Sequence, residues 1–193
     1  MYEALSNRNL KIRFVCGLVC FFLISCAAPL PYSLNYPLSN EPFFSRDGSF
    51  YGLVPEGWFV SSGDSLAPAL SAWLVKEDFT AVLTIRELHL DPLSSAQVER
   101  KGLILLANIS IAIHSADSSI TAIVVPPKEY SMQGRKFCSY EVYNGDIQKR
   151  IVVFAGKGKY YESEAVTTKG AWLWDDLVRL FTAQQAFLAS LVI

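Results

Sequence analysis

The first 26 residues constrain the rest of the chain most. Arg8, Lys11 and Arg13 precede an apolar run over residues 14–26 that closes on Leu23-Ile24-Ser25-Cys26. A basic start, an apolar core and small residues near a cut site are what an export signal requires. Removing such a leader takes away Cys16 and Cys20 and leaves Cys26 at the boundary. Of the four cysteines only Cys138 then belongs to the folded part, so neither an intramolecular disulfide nor a Cys-rich zinc site can form. The remaining stretch of about 167 residues has to fold by burying apolar surface, and it is long enough for one sizeable core.

The tetrad Leu23-Ile24-Ser25-Cys26 resembles the lipobox of bacterial prolipoproteins. That resemblance implies a diacylglyceryl group on Cys26, cleavage before it and a third acyl chain on the freed amine. Such an end would stay in a bilayer, since two chains already anchor stably. Two other readings fit the stretch: residues 12–30, charged only at Arg13, approach the ~20 that span a bilayer, and a plain signal could be cut near Ala27-Ala28. The position of the tetrad at the far end of the core favours the lipoprotein, with residues 1–25 as signal peptide. Ala27, in place of an Asp after the cysteine, leans toward the periplasmic side of an outer membrane. The mature part carries a net charge of about −3 and no basic stripe, which argues against nucleic acid as a partner.

Residues 26–42 include Pro29, Pro31, Pro37 and Pro42, and fixed φ angles with missing N–H donors predict an extended tether that holds the domain off the membrane. A single domain over residues 43–193 follows. Residues 49–54 read as a strand, Pro55-Glu56-Gly57 as a turn and Trp58 as the start of another strand. Residues 70–75 and 80–88 form a hairpin by alternation. Asp91-Pro92 stops the sheet, and Ser94 or Ser95 caps one helix to about residue 113, with Val98, Leu105, Ile109 and Ala112 on its stripe. Residues 120–125, 136–143, 147–155 and 160–167 carry β patterns, and the turns Asn144-Gly145-Asp146 and Gly156-Lys157-Gly158-Lys159 join the last three into a meander. Residues 171–191 close the chain as an amphipathic helix, with Trp174, Leu177, Val178, Phe181, Phe187, Leu188 and Leu191 inward and Asp175, Asp176, Arg179, Gln184 and Gln185 outward. The fold class expected is α+β: an antiparallel β-sheet of about six to eight strands packed against two main helices.

The aromatic opening strand with Val54-Pro55-Glu56-Gly57-Trp58, the mid-chain helix, the meander ending near Lys159-Tyr160-Tyr161 and the C-terminal helix together resemble the PsbP-like family. The resemblance implies an α/β/α sandwich. It also implies an accessory or binding role, since the family includes extrinsic photosystem subunits and bacterial lipoproteins of the DcrB type without shared catalytic residues.

Four groups of residues bear on chemistry. Glu87, His89 and Asp91 alternate on one strand face and are the metal candidates, although alternate strand residues lie about 6–7 Å apart and would need bending to share an ion. His114 follows an apolar helix and is expected to cap its C-terminus. Cys138 alternates with Phe137 and Ser139 and reads as a buried inert thiol. Trp172 and Trp174 stand about 200° apart on a helix, so one of them should be exposed and available for contact with a partner or membrane. No Gly-x-Ser-x-Gly occurs and only two histidines could serve as a base, so an enzyme is not expected, and no motif asks for a cofactor. The sequence therefore points to a membrane-anchored envelope lipoprotein acting as a non-catalytic accessory or interaction module with a protein partner in the envelope. A small-ligand or metal-binding envelope protein is the alternative.

Overall fold

The computed structural model describes residues 29–61, 67–117, 119–168 and 172–193. The leader and its expected lipidation site Cys26 lie outside the described residues. In chain order the elements are β1 (Leu38–Phe44), β2 (Tyr51–Pro55), β3 (Trp58–Val60), β4 (Leu70–Lys76), β5 (Ala81–Leu88), α1 (Pro92–Lys101), α2 (Leu103–Ala116), β6 (Ala122–Met132), β7 (Arg135–Asn144), β8 (Ile147–Gly156), β9 (Lys159–Thr167) and α3 (Trp174–Ser190). Strands β3 to β9 form a seven-stranded antiparallel sheet in the order β3-β4-β5-β9-β8-β7-β6, while β1 and β2 form a separate ribbon. Hairpin turns hold β6 to β9 together. Gln133-Gly134 and Lys157-Gly158 both take φ near +50° then +75°, the paired left-handed conformation of a two-residue hairpin turn.

Alternation along the strands divides the core in two. On β7, Phe137 joins the apolar cluster under α3, whereas Cys138, Tyr140 and Val142 join the cluster under α1 and α2. Both faces of the sheet are thus covered, giving the expected α+β sandwich.

The chain departs from the sequence reading in several places. The single helix expected over residues 94–113 is two helices broken at Gly102, whose φ of +82° no helical residue adopts. Asp91 caps the first of them, accepting from the backbone N–H groups of Leu93 and Ser94, and Pro92 fits the first turn because its missing N–H needs no partner there. Asp91-Pro92 therefore opens a helix as well as ending a strand. Glu129 of β6 accepts from Ile104 N–H at 3.2 Å, serving the bare N-terminus of α2. β6 runs on to Met132 despite Pro126-Pro127, because an edge strand tolerates missing N–H donors and the register shifts around them.

Two further corrections concern the face carrying α3. The Pro-containing stretch expected as a free tether is extended, yet it lies against the domain. Residues 38–42 pair within β1, and residues 29–37 form a strap. Tyr36 accepts from Trp58 Nε1 at 3.3 Å and donates to the Glu56 carbonyl at 3.2 Å, and the Pro37 carbonyl accepts from Glu56 N–H at 3.0 Å. Helix α3 begins at Trp174 rather than residue 171, Trp174 points outward, and Gln184 and Gln185, expected outward, are fully buried. The sheet covers one side of α3, while strap and ribbon residues cover other sides. Its middle, from Leu180 to Leu188, is consequently buried all round.

Candidate functional site

Polar side chains gather at two buried centres, one on each face of the sheet. Under α2, the Glu162 carboxylate projects from the central strand β9. One of its oxygens takes Arg86 Nη2 at 2.9 Å and His114 Nε2 at 2.9 Å, and the other takes the Ser110 hydroxyl. Ser110 also pairs with Tyr140 Oη at 2.6 Å. Ser119 Oγ donates to the His114 carbonyl and sits 2.9 Å from Nδ1, fixing the orientation of the ring. Burial raises the pKa of Glu162, but its hydrogen bond and charge attraction to His114, with Arg86 and Ser110, outweigh this and hold it below the ordinary carboxylate value.

His114 was expected as a helix cap. It does occupy the last turn of α2, but its ring turns inward to the carboxylate, the strongest acceptor available in that interior. Ser, His and Glu are the residue types of a hydrolase, yet the connections differ. Ser110 bonds Glu162 and Tyr140 rather than the imidazole, so the Ser–His contact of a hydrolase triad is not made. Donor atoms of His114, Glu162 and Glu164 lie within 4.8 Å of one another, the spacing a metal would need. Those donors are already committed: Glu162 to Arg86 and Ser110, and Glu164 to Lys149 at 2.9 Å. Arg86 and Lys149 supply the positive charge a cation would bring.

The sequence-derived metal candidates are given separate tasks. Glu87 binds Lys159 Nζ at 2.7 Å, with His89 Nδ1 3.3 Å away, while the His89 side chain is 84% exposed and Asp91 caps α1. Asp91 is held by the helix start, so the shared-face geometry of an ideal strand does not persist past Leu88. Cys138 is fully buried, and burial with the nearby Glu129 pushes its thiol up to about 12, as an inert thiol should behave.

The second centre was not legible in the sequence. Arg150, on β8, is 0% exposed and lies under α3. It donates to Gln185 Oε1 at 2.6 Å, to Gln184 Oε1 at 3.1 Å and to Tyr130 Oη at 3.1 Å. Its cross-strand neighbour is Glu141, which accepts from Gln148 Nε2 at 2.9 Å. Tyr32 of the strap joins the two charges: its ring lies 4.8 Å from the guanidinium and its hydroxyl donates to Glu141 at 2.6 Å. Burial and the Glu141 carboxylate both raise the pKa of that hydroxyl, so it stays protonated and able to donate. A clue lay in the neighbouring Gln184 and Gln185 within the mostly apolar second half of the helix, and in Arg150 beside Ile151-Val152-Val153.

The accessible features lie elsewhere. A cleft of about 80 Å³ is lined by Tyr36, Trp58, Lys76, Trp172, Asp176 and Arg179 among others, with Lys76 Nζ 5.7 Å from the Trp172 ring. Trp172 is half-buried in this cleft. Leu173 and Trp174 beside it are 77% and 63% exposed. The expectation that one of the two tryptophans stands in solvent therefore holds for Trp174. Among the described residues no helix is long and apolar enough to cross a membrane.

No protein-family model matches the sequence. Nor does any curated protein. Solved structures do match. The chain superposes on the cyanobacterial PsbP protein (CyanoP) of Synechocystis with a TM-score of 0.53 at 14% identity, covering 79% of this chain and 91% of that one. It also superposes on the Ran-binding protein Mog1p of Saccharomyces cerevisiae with a TM-score of 0.51 at 9% identity, covering 81% and 96%. These likenesses establish a PsbP-like α+β fold. They do not carry a role, because a shared fold hosts unrelated functions.

Proposed function

We propose that this chain is a lipid-anchored envelope protein whose PsbP-like domain is a non-catalytic accessory module, acting by contact through the corner around Trp172, Leu173 and Trp174. What supports this reading is where chemistry is reachable. The groups suited to acid, base or metal chemistry, His114 and Glu162, are walled in by helix and sheet and committed to one another, whereas the start of α3 offers large apolar side chains to whatever lies outside. The lipobox-like tetrad at Cys26 supplies the anchor in this reading, and Ala27 favours the outer membrane. The rival, a metal-binding envelope protein, would have to strip Arg86 and Lys149 from Glu162 and Glu164 first.

Fatty-acid labelling in cells tests the anchor, and a photo-crosslinking residue at position 173 tests the corner. Label should disappear in Cys26→Ser. Position 173 should form adducts in native membranes while position 93, equally apolar and exposed on α1, should not. Equal yields at both positions would sink the contact reading.

A further inference from the structure

We propose that the surface met by this corner is the bilayer itself, and that the strap holds the domain against the membrane instead of spacing it away. This inference rests on the lipid anchor at Cys26 proposed above. Six residue steps separate Cys26 from Tyr32, and a fully extended chain spans at most 3.3–3.6 Å per residue, so the acylated residue lies within about 21 Å of where Tyr32 is fastened. That fastening is to the body of the domain: Glu141 and Arg150 in the sheet, and Phe181 of α3, whose ring centroid is 5.4 Å from that of Tyr32. The strap is held again at Tyr36 and Pro37 before β1 begins. The strap is therefore part of the domain, and reach is left only to the few residues before Tyr32.

The apolar corner lies close to this fastening. Phe181 and Trp174 are seven residues apart on one helix, about 10 Å along its axis. Leu173 and Trp174 are 77% and 63% exposed, and Leu30 and Leu34, each 36% exposed, flank Tyr32 on the strap. Tryptophan suits the headgroup level, where its ring is half in apolar surroundings and its N–H in water. The described charges around the corner are Asp175, Asp176 and Arg179, with Lys76 paired to Asp78 at 2.6 Å, so no positive patch stands there to attract anionic lipid and salt should have little effect. Two to four apolar side chains bind a bilayer weakly by themselves. With the acyl chains retaining the protein, the second contact becomes intramolecular, and weak binding is enough to fix an orientation.

The test uses the full-length acylated protein reconstituted in phosphatidylcholine vesicles, with and without bromine on the acyl chains, and reads tryptophan quenching. The native protein should float with the vesicles and be quenched by brominated lipid. Trp174→Phe, a solvent-side change that leaves the fold intact, should lower the quenching about twofold or more, since Trp58 is buried and Trp73 and Trp172 are half-buried. Tyr32→Phe and Tyr32→Ala should lower it progressively while flotation persists. Flotation with identical quenching in native and Trp174→Phe protein overturns the corner alone, and would leave it to a protein partner. Failure of the native protein to float better than Cys26→Ser overturns the anchor, and this inference with it.

Discussion

Tyr32→Phe removes one hydroxyl and tests whether the strap is part of the fold. The lost hydrogen bond is short, 2.6 Å, and its acceptor is a buried carboxylate. Hydrogen bonds to charged groups contribute about 1.5–3 kcal/mol, and because Tyr32 is half-buried the lower end, ~1.5 kcal/mol, applies. Glu141 keeps its bond from Gln148, so the carboxylate is not orphaned. Tyr32→Ala additionally removes the ring from the Arg150 guanidinium and from Phe181, worth about 1 kcal/mol each, for a total of about 3.5 kcal/mol. At about 2–4 °C per kcal/mol in a domain of this size, calorimetry should show Tm lowered by roughly 3–6 °C for Phe and about twice that for Ala. A double-mutant cycle with Glu141→Gln should return a coupling of about 1 kcal/mol. The Tyr32 hydroxyl has its pKa raised, so its contribution is complete below the unfolded phenol value and fades only as pH rises through the folded one. Both variants lying within 0.5 kcal/mol of the native protein would refute the docked strap.

Three other outcomes follow from the interior. Glu162→Gln leaves Arg86 without its buried counter-charge and should cost about 3 kcal/mol in urea unfolding, at the lower end for a broken buried pair because Arg86 is partly exposed. The folded pKa of Glu162 is depressed, so the stability it contributes is complete above the unfolded value and lost as pH falls through the folded one; Glu162→Gln should flatten that acid limb, and an unchanged limb would exclude Glu162 as its cause. Gly102→Ala puts a side chain at a φ of +82° with its Cβ 3.0 Å from Glu129 Oε1, and should lower stability by about 1–2 kcal/mol; a neutral result would mean the α1–α2 junction relaxes freely. Cys138, with its thiol pushed up to about 12, should resist thiol reagents at pH 8 until the protein unfolds, and fast native labelling would contradict its burial.

The sequence determined the features that depend on near neighbours. Alternation located β4, β5 and the meander β7–β9, and glycine-bearing turns such as Lys157-Gly158 located their hairpins, because a strand's period and a turn's φ are local properties. It also located the thiol of Cys138 inside and one tryptophan outside. Only the tertiary structure decided what a long-range neighbour imposes. Gln184 and Gln185 lie on the polar side of α3 by periodicity, yet they are buried because the strap and ribbon cover that helix and Arg150 beneath it needs neutral acceptors. His114 turns inward because Glu162, 48 residues later, waits there, and Asp91 leaves the strand face it shared with Glu87 because a helix N-terminus takes its carboxylate. The prolines before β1 dictate an extended backbone; whether that backbone reaches into solvent or lies on the domain was settled by Tyr32 and Tyr36 finding partners more than 100 and 20 residues away, which no local pattern encodes.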